Sequence, residues 1–137
     1  MLHLHSTIAI VLLLALVISI VITLSNYLGN KPYNRKIALL GFIASHIQLV
    51  VGLILFFYLK YPSMISGAIM KDPSLRFKII EHPLTMIIAI VLITIGYSKA
   101  KKIENAKKAN QTVLIFFVIG LILMLARIPW STWSLFA

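Results

Sequence analysis

Residues 2–24 read LHLHSTIAIVLLLALVISIVITL, twenty-three positions without Asp, Glu, Lys, Arg, Gly or Pro. An α-helix rises about 1.5 Å per residue, so about 20 apolar residues cross the roughly 30 Å hydrocarbon core of a bilayer. This stretch is long enough to do so. It has no basic n-region, it outruns a signal-peptide core, and no small-x-small cleavage pattern follows Leu24. The expectation is a retained first transmembrane helix.

Outward from it the pattern recurs. Apolar runs at Ile37–Tyr58, Ile79–Tyr97 and Thr112–Ile128 each reach spanning length, and the second is interrupted only by Ser45, His46 and Gln48. Alternation of period two and hairpin turn signals are absent, which argues against a barrel. The whole chain has the same character: 61% apolar and 12% charged, with a mean hydropathy of +1.01. Soluble domains run near half and a quarter. The 137 residues read as one all-α domain over 1–137, an integral membrane four-helix bundle with up-down-up-down topology. No cysteine is present, which excludes zinc fingers, iron–sulfur clusters and redox dithiols, all of which need thiolates.

The net charge of +10 resides in the connections. Lys31, Arg35 and Lys36 lie between the first two runs, and Lys99, Lys101, Lys102, Lys107 and Lys108 between the last two. The middle connection carries Lys60, Lys71, Arg76 and Lys78. Eight against four puts the first and third loops in the cytoplasm by the positive-inside rule, with both termini on the outer side. The expected location is the bacterial cytoplasmic (inner) membrane. Trp130 and Trp133 suit an outer interfacial belt. A basic loop without interleaved aromatic or Gly residues reads as orientation and lipid attraction, not nucleic-acid binding. In the middle loop, Asp72-Pro73-Ser74 reads as a helix start, and Pro83 is expected to kink the third helix beside His82.

Ionisable residues inside spans are costly and face protein or a cavity. Helical turning of about 100° per residue puts His5, Ala9, Leu12, Leu16, Ser19 and Thr23 on one stripe. His82, Thr85, Met86, Ala89 and Gly96 form another, and Arg127, Met124, Gly120 and Phe116 a third. In the second helix Gly41, Ser45, Gln48 and Gly52 line up, while His46 projects roughly 130° away. Counted from a common inner level, His46 stands roughly 13 Å up, His82 and Arg127 roughly 22 Å, and His5 about 30 Å.

Imidazoles on facing helices can hold haem iron axially, with small residues giving the flat ring clearance. The candidates are His82 with His46 or His5 as ligands, and Gly41, Gly52, Gly96 and Gly120 for clearance. Arg127 or Arg76 would pair with propionates. His82 is the first ligand, and His46 precedes His5 as the second because it lies deeper. His3 reads as a solvated interfacial residue, and Glu81 as a partner of Arg76 or Lys78. No nucleophile elbow, phosphate loop or carboxylate pair occurs, so the chain reads as an electron carrier or accessory subunit more than an enzyme.

The segments LHLHS, SHIQLVVGLILFF, RFKIIEHPLTMIIAIVLITIGYSKAKK and ARIPW together resemble a family of small bacterial four-helix membrane proteins labelled cytochrome b. EHPLTM and RIPW are the most specific parts. The resemblance implies haem b and electron transfer, with His5, His46, His82 and Arg127 at the matching positions. Quinone or a respiratory-chain protein is the expected exchange partner, and homo-oligomerisation stays open. Two other readings stand beside it. One is a non-haem membrane subunit or assembly factor whose His and Arg are structural or bind a partner; the other is a three-histidine metal site of His5, His46 and His82.

Overall fold

Local signals at the chain's punctuation marks decide where each helix starts and stops. A computed structural model describes residues 2–133. Helix α1 spans Leu2–Leu28, four residues beyond the expected end. It stops where Asn30 adopts a left-handed φ of 53°, and Lys31 N–H returns to the Asn26 carbonyl at 2.8 Å. That is a Schellman closure, for which Asn is a tolerated residue. Helix α2 spans Arg35–Tyr58, and the Asn34 side chain caps it by accepting from Ile37 N–H at 3.2 Å. Two short 3-10 turns follow, Tyr61–Met64 and Ile69–Lys71.

Helix α3 runs over Pro73–Ala100. Its start is the expected one: Asp72 accepts from Ser74 and Leu75 N–H at 3.1 and 3.2 Å, with Pro73 in the first turn. Just before Pro83, where a kink was expected, the helix makes a π-turn over Phe77–Glu81, closed by His82 N–H on the Phe77 carbonyl. Proline has no N–H to give the carbonyl one α-turn back, and a wider turn just before it accommodates the mismatch. Helix α4 spans Ala106–Ala126, capped by Asn105 accepting from Lys108 N–H at 2.9 Å. Arg127, expected inside the fourth span, instead follows its last turn.

All four helices are long and apolar enough to cross a membrane, and the described residues contain no strand. Burial runs opposite to that of a water-soluble protein. Ser19, Thr23, Ser45 and Asn110 are at most 1% exposed, whereas Val11, Leu14, Val21, Val50 and Ile122 are more than half exposed. The helices therefore turn small and polar stripes toward one another and branched aliphatics outward.

The stripes meet as close-packed seams. Against α1, Gly41 of α2 sits so near that a Cβ there would lie 3.0 Å from Ser19 Oγ and 3.1 Å from Leu16 Cδ1. Ser19 Oγ donates to the Ile37 carbonyl at 2.6 Å and accepts from Gly41 N–H at 3.1 Å. Between α3 and α4, Gly96 receives Phe116, and Gly120 receives Ile93 and the Ala89 carbonyl. Between α2 and α3, the Phe42 and Tyr97 rings stack at 4.5 Å. Asn110 of α4 donates to the Lys31 carbonyl at 3.1 Å, which closes the ring of helices near the α1–α2 turn. Leu12, Leu16, Ala89, Ile93, Val113 and Phe117 fill the centre. Trp130 donates from Nε1 to the Leu125 carbonyl at 2.9 Å, and its ring lies 5.9 Å from Trp133.

Candidate functional site

Three of the four residues singled out in the sequence gather at one end of the helices, and His46 is the one that does not. The His5 ring of α1 and the His82 ring of α3 lie with centroids 6.2 Å apart and planes at 86°. His82 Nδ1 lies 2.7 Å from the carbonyl oxygen of Arg127. A carbonyl only accepts, so Nδ1 carries the proton. In the neutral ring that leaves the lone pair on Nε2, the arrangement usual for a metal-binding imidazole oriented by a backbone carbonyl.

His5 is held from α2. Gln48 Nε2 donates to the His5 carbonyl at 2.8 Å, and a Cβ at Gly52 would stand 3.2 Å from His5 Cε1. Gly52 thus makes room for the histidine ring itself. Beside the pair, Glu81 accepts from Arg76 Nε at 2.7 Å and lies 3.7 Å from Arg127 Nε. Two guanidinium groups on one carboxylate leave an excess positive charge at this end. The three side chains are 30–44% exposed, so each pair contributes about 0–1 kcal/mol. Of the two partners expected from the sequence for Glu81, Arg76 and Lys78, the ion pair is with Arg76.

His46 points elsewhere and is fully engaged. Its Nδ1 donates to the Phe42 carbonyl at 2.8 Å, its Nε2 faces the Thr94 hydroxyl at 3.2 Å, and its ring packs on Phe42 at 4.3 Å. Thr94 lies twelve residues along α3 from His82, about 18 Å of helix rise. His46 therefore cannot share a ligand with His82, and a site built from all three histidines is not formed. Among the described residues no group of three or more His, Asp or Glu side chains is placed to hold a metal ion. His3 is exposed, as expected.

The level estimate that separated His5 from His82 fails for an identifiable reason. Tyr97 stacks on Phe42, whose neighbour Gly41 touches Leu16 and Ser19. The α1 residue level with Tyr97 is thus near Ser19 and not Leu24, which lowers His5 by about five residues, roughly 7 Å. The sequence held no sign of this offset, because it arises from which side chains interlock. Thr94 as partner of His46 was equally hidden; only the pairing of α2 with α3 reveals it.

The donor set can be tested against haem iron. With metal–nitrogen bonds of about 2 Å and roughly 1.2 Å from nitrogen to ring centre, two axial imidazoles put their centroids about 6 Å apart. His5 and His82 match this spacing, and His82 keeps Nε2 for a ligand. In donor type and ring spacing the pair suits such an ion. The clearance expected at Gly41, Gly96 and Gly120 is not there, since Ser19, Leu16, Phe116, Ile93 and Ala89 occupy it. Comparison with protein-family models, curated proteins and solved structures gives no significant match.

Proposed function

We propose that the chain is a multi-pass membrane protein that binds haem b through His5 and His82 and carries electrons near one face of the bilayer. The observation that carries this reading is the pairing of the two rings at 6.2 Å, with His82 oriented by the Arg127 carbonyl. His5 takes the place first given to His46, whose nitrogens are both engaged within the protein.

Insertion in the inner membrane is supported by four spanning-length helices and by aliphatic side chains facing outward. Up-down-up-down topology is supported by contacts that run in opposite directions along successive helices: Ser19 with Ile37 and His5 with Gln48, Phe42 with Tyr97 and His46 with Thr94, Gly96 with Phe116 and His82 with Arg127. With the Lys-rich loops inside, both termini and the histidine pair lie on the outer side. When bound, haem supplies a one-electron couple. The protein's own contribution is to hold two neutral imidazoles on separate helices and to keep an excess positive charge from Arg76 and Arg127 beside them, suited to anionic substituents. Quinone or a respiratory-chain protein is the exchange partner this location favours.

A pyridine haemochrome assay on protein expressed with ample haem tests the reading. Wild type and His46→Ala should both carry haem, while His5→Ala and His82→Ala should lose it. A wild type free of haem would sink the proposal.

One observation favours a second reading, a non-haem membrane subunit or assembly factor. His46, Gly96, Gly120 and Glu81 all serve helix-to-helix contacts. On that reading the protein is colourless and substitution at His46 weakens its stability or partner association with no spectral consequence.

A further inference from the structure

Gln48 is buried to 8% exposure in the seam between α1 and α2. Its Nε2 is committed to the His5 carbonyl, yet its Oε1 has no hydrogen-bond partner, and neither does the buried Nδ1 of His5. Both orphaned atoms lie in the seam between α1 and α2, on two residues already joined by a hydrogen bond. Gln48 and Gly52 stand one turn apart on the same face of α2, and the Cε1–Nδ1 edge of His5 faces Gly52, 3.2 and 3.7 Å from where its Cβ would be. An amide oxygen only accepts, whereas an imidazole nitrogen donates in one tautomer. A water accepting from His5 Nδ1–H and donating to Gln48 Oε1 satisfies both, and buried waters characteristically occupy such positions.

We propose that one water bridges His5 Nδ1 and Gln48 Oε1, and that Gln48 is the positioning residue of His5, holding the ring as the Nδ1–H tautomer with its lone pair on Nε2. The two histidines are then oriented alike: His82 by the Arg127 carbonyl, His5 by an amide oxygen through water. Ligating histidines commonly give their second N–H to a carbonyl, carboxylate or water. Turning the Gln48 amide to meet Nδ1 directly would forfeit its bond to the His5 carbonyl, so the water lets one side chain serve both ends of the residue. This inference rests on reading His5 and His82 as a ligand pair.

The test uses full-length protein labelled with 15N at histidine, purified in detergent without haem, with His5 assigned by its loss in His5→Ala. The expected result is a protonated Nδ1 and an unprotonated Nε2 on His5, with a cross-peak from the Nδ1 proton to a long-lived water. Gln48→Leu keeps the bulk and removes the acceptor. It should move His5 to a mixture of tautomers and abolish the cross-peak, while His82 keeps its Nδ1 proton. A wild-type His5 protonated at Nε2, or a His5 signal indifferent to Gln48→Leu, overturns the assignment. Should Gln48→Leu fail to fold, the wild-type cross-peak decides: its absence also overturns it. Since no haem enters the measurement, a colourless protein defeats the haem reading without touching this one, and an unexpected tautomer does the reverse.

Discussion

His46 and His82 are the same residue type inside helices of the same bundle, and what separates them is the fate of the second ring nitrogen. His46 places one nitrogen on its own helix at Phe42 and the other across the seam at Thr94, so it links α2 to α3. Interhelical hydrogen bonds of this kind average about 0.6 kcal/mol. His82 places one nitrogen on the Arg127 carbonyl and leaves the other uncommitted. A third titratable residue, Tyr33 in the α1–α2 turn, has a buried hydroxyl with no partner. Burial, with Tyr97 nearby adding to it, pushes its phenol up to about 12 against the opposing pull of Arg35. The unfolded chain, with phenol pKa about 10, releases this proton first. The associated stability is therefore complete below about pH 10 and is lost as pH rises toward 12. In an alkaline unfolding series in detergent, Tyr33→Phe should flatten that loss; an unchanged pH curve would rule the effect out.

At the scale of the element, the start of α3 was the most legible feature, whereas α2 and α4 begin two and six residues before the apolar runs at Ile37 and Thr112. Asp72-Pro73 begins α3 as its residue types require. Ends were less so: α1 continues to Leu28 because the left-handed Asn30, not the loss of apolar residues after Leu24, closes it. The glycine stripes were legible as packing surfaces, but their occupants were not. At Gly96 a Cβ would lie 2.4 Å from Phe116 Cβ, while at Gly67 nothing stands within 4 Å. Gly96→Ala gains up to about 1 kcal/mol in helix propensity but must push α4 away. Overpacking of this kind costs roughly 1–3 kcal/mol. Thermal unfolding in detergent should show Gly96→Ala destabilised and Gly67→Ala close to wild type. Equal midpoints for the two would mean that the α3–α4 seam is looser than the geometry described.

For the whole molecule, the informative property is the inverted burial, polar stripes inside and aliphatics outside, which the apolar runs imply and the packing realises. Sidedness rests on the distribution of Lys and Arg and is open to direct measurement, because a chain without cysteine needs no background removal before single cysteines are introduced. In intact cells, Ser66→Cys in the middle loop should react with a membrane-impermeant thiol reagent, and Glu104→Cys should react only after lysis. The reverse pattern would invert the topology and move the histidine pair to the cytoplasmic face.

Four helices, their lipid-compatible surfaces, the Asp72 cap and the polar residues worth following were determined by the sequence alone, because each depends on neighbours within a few turns or on composition. The identity of the histidine pair was decided only in the tertiary structure. Which residue of α1 stands level with which residue of α3 is set by Gly41 nesting on Leu16 and Ser19 and by Phe42 stacking on Tyr97. Interlocking side chains fix the offset between helices independently of where each apolar run begins or ends. Through that offset, His5 meets His82, and His46 turns to Thr94.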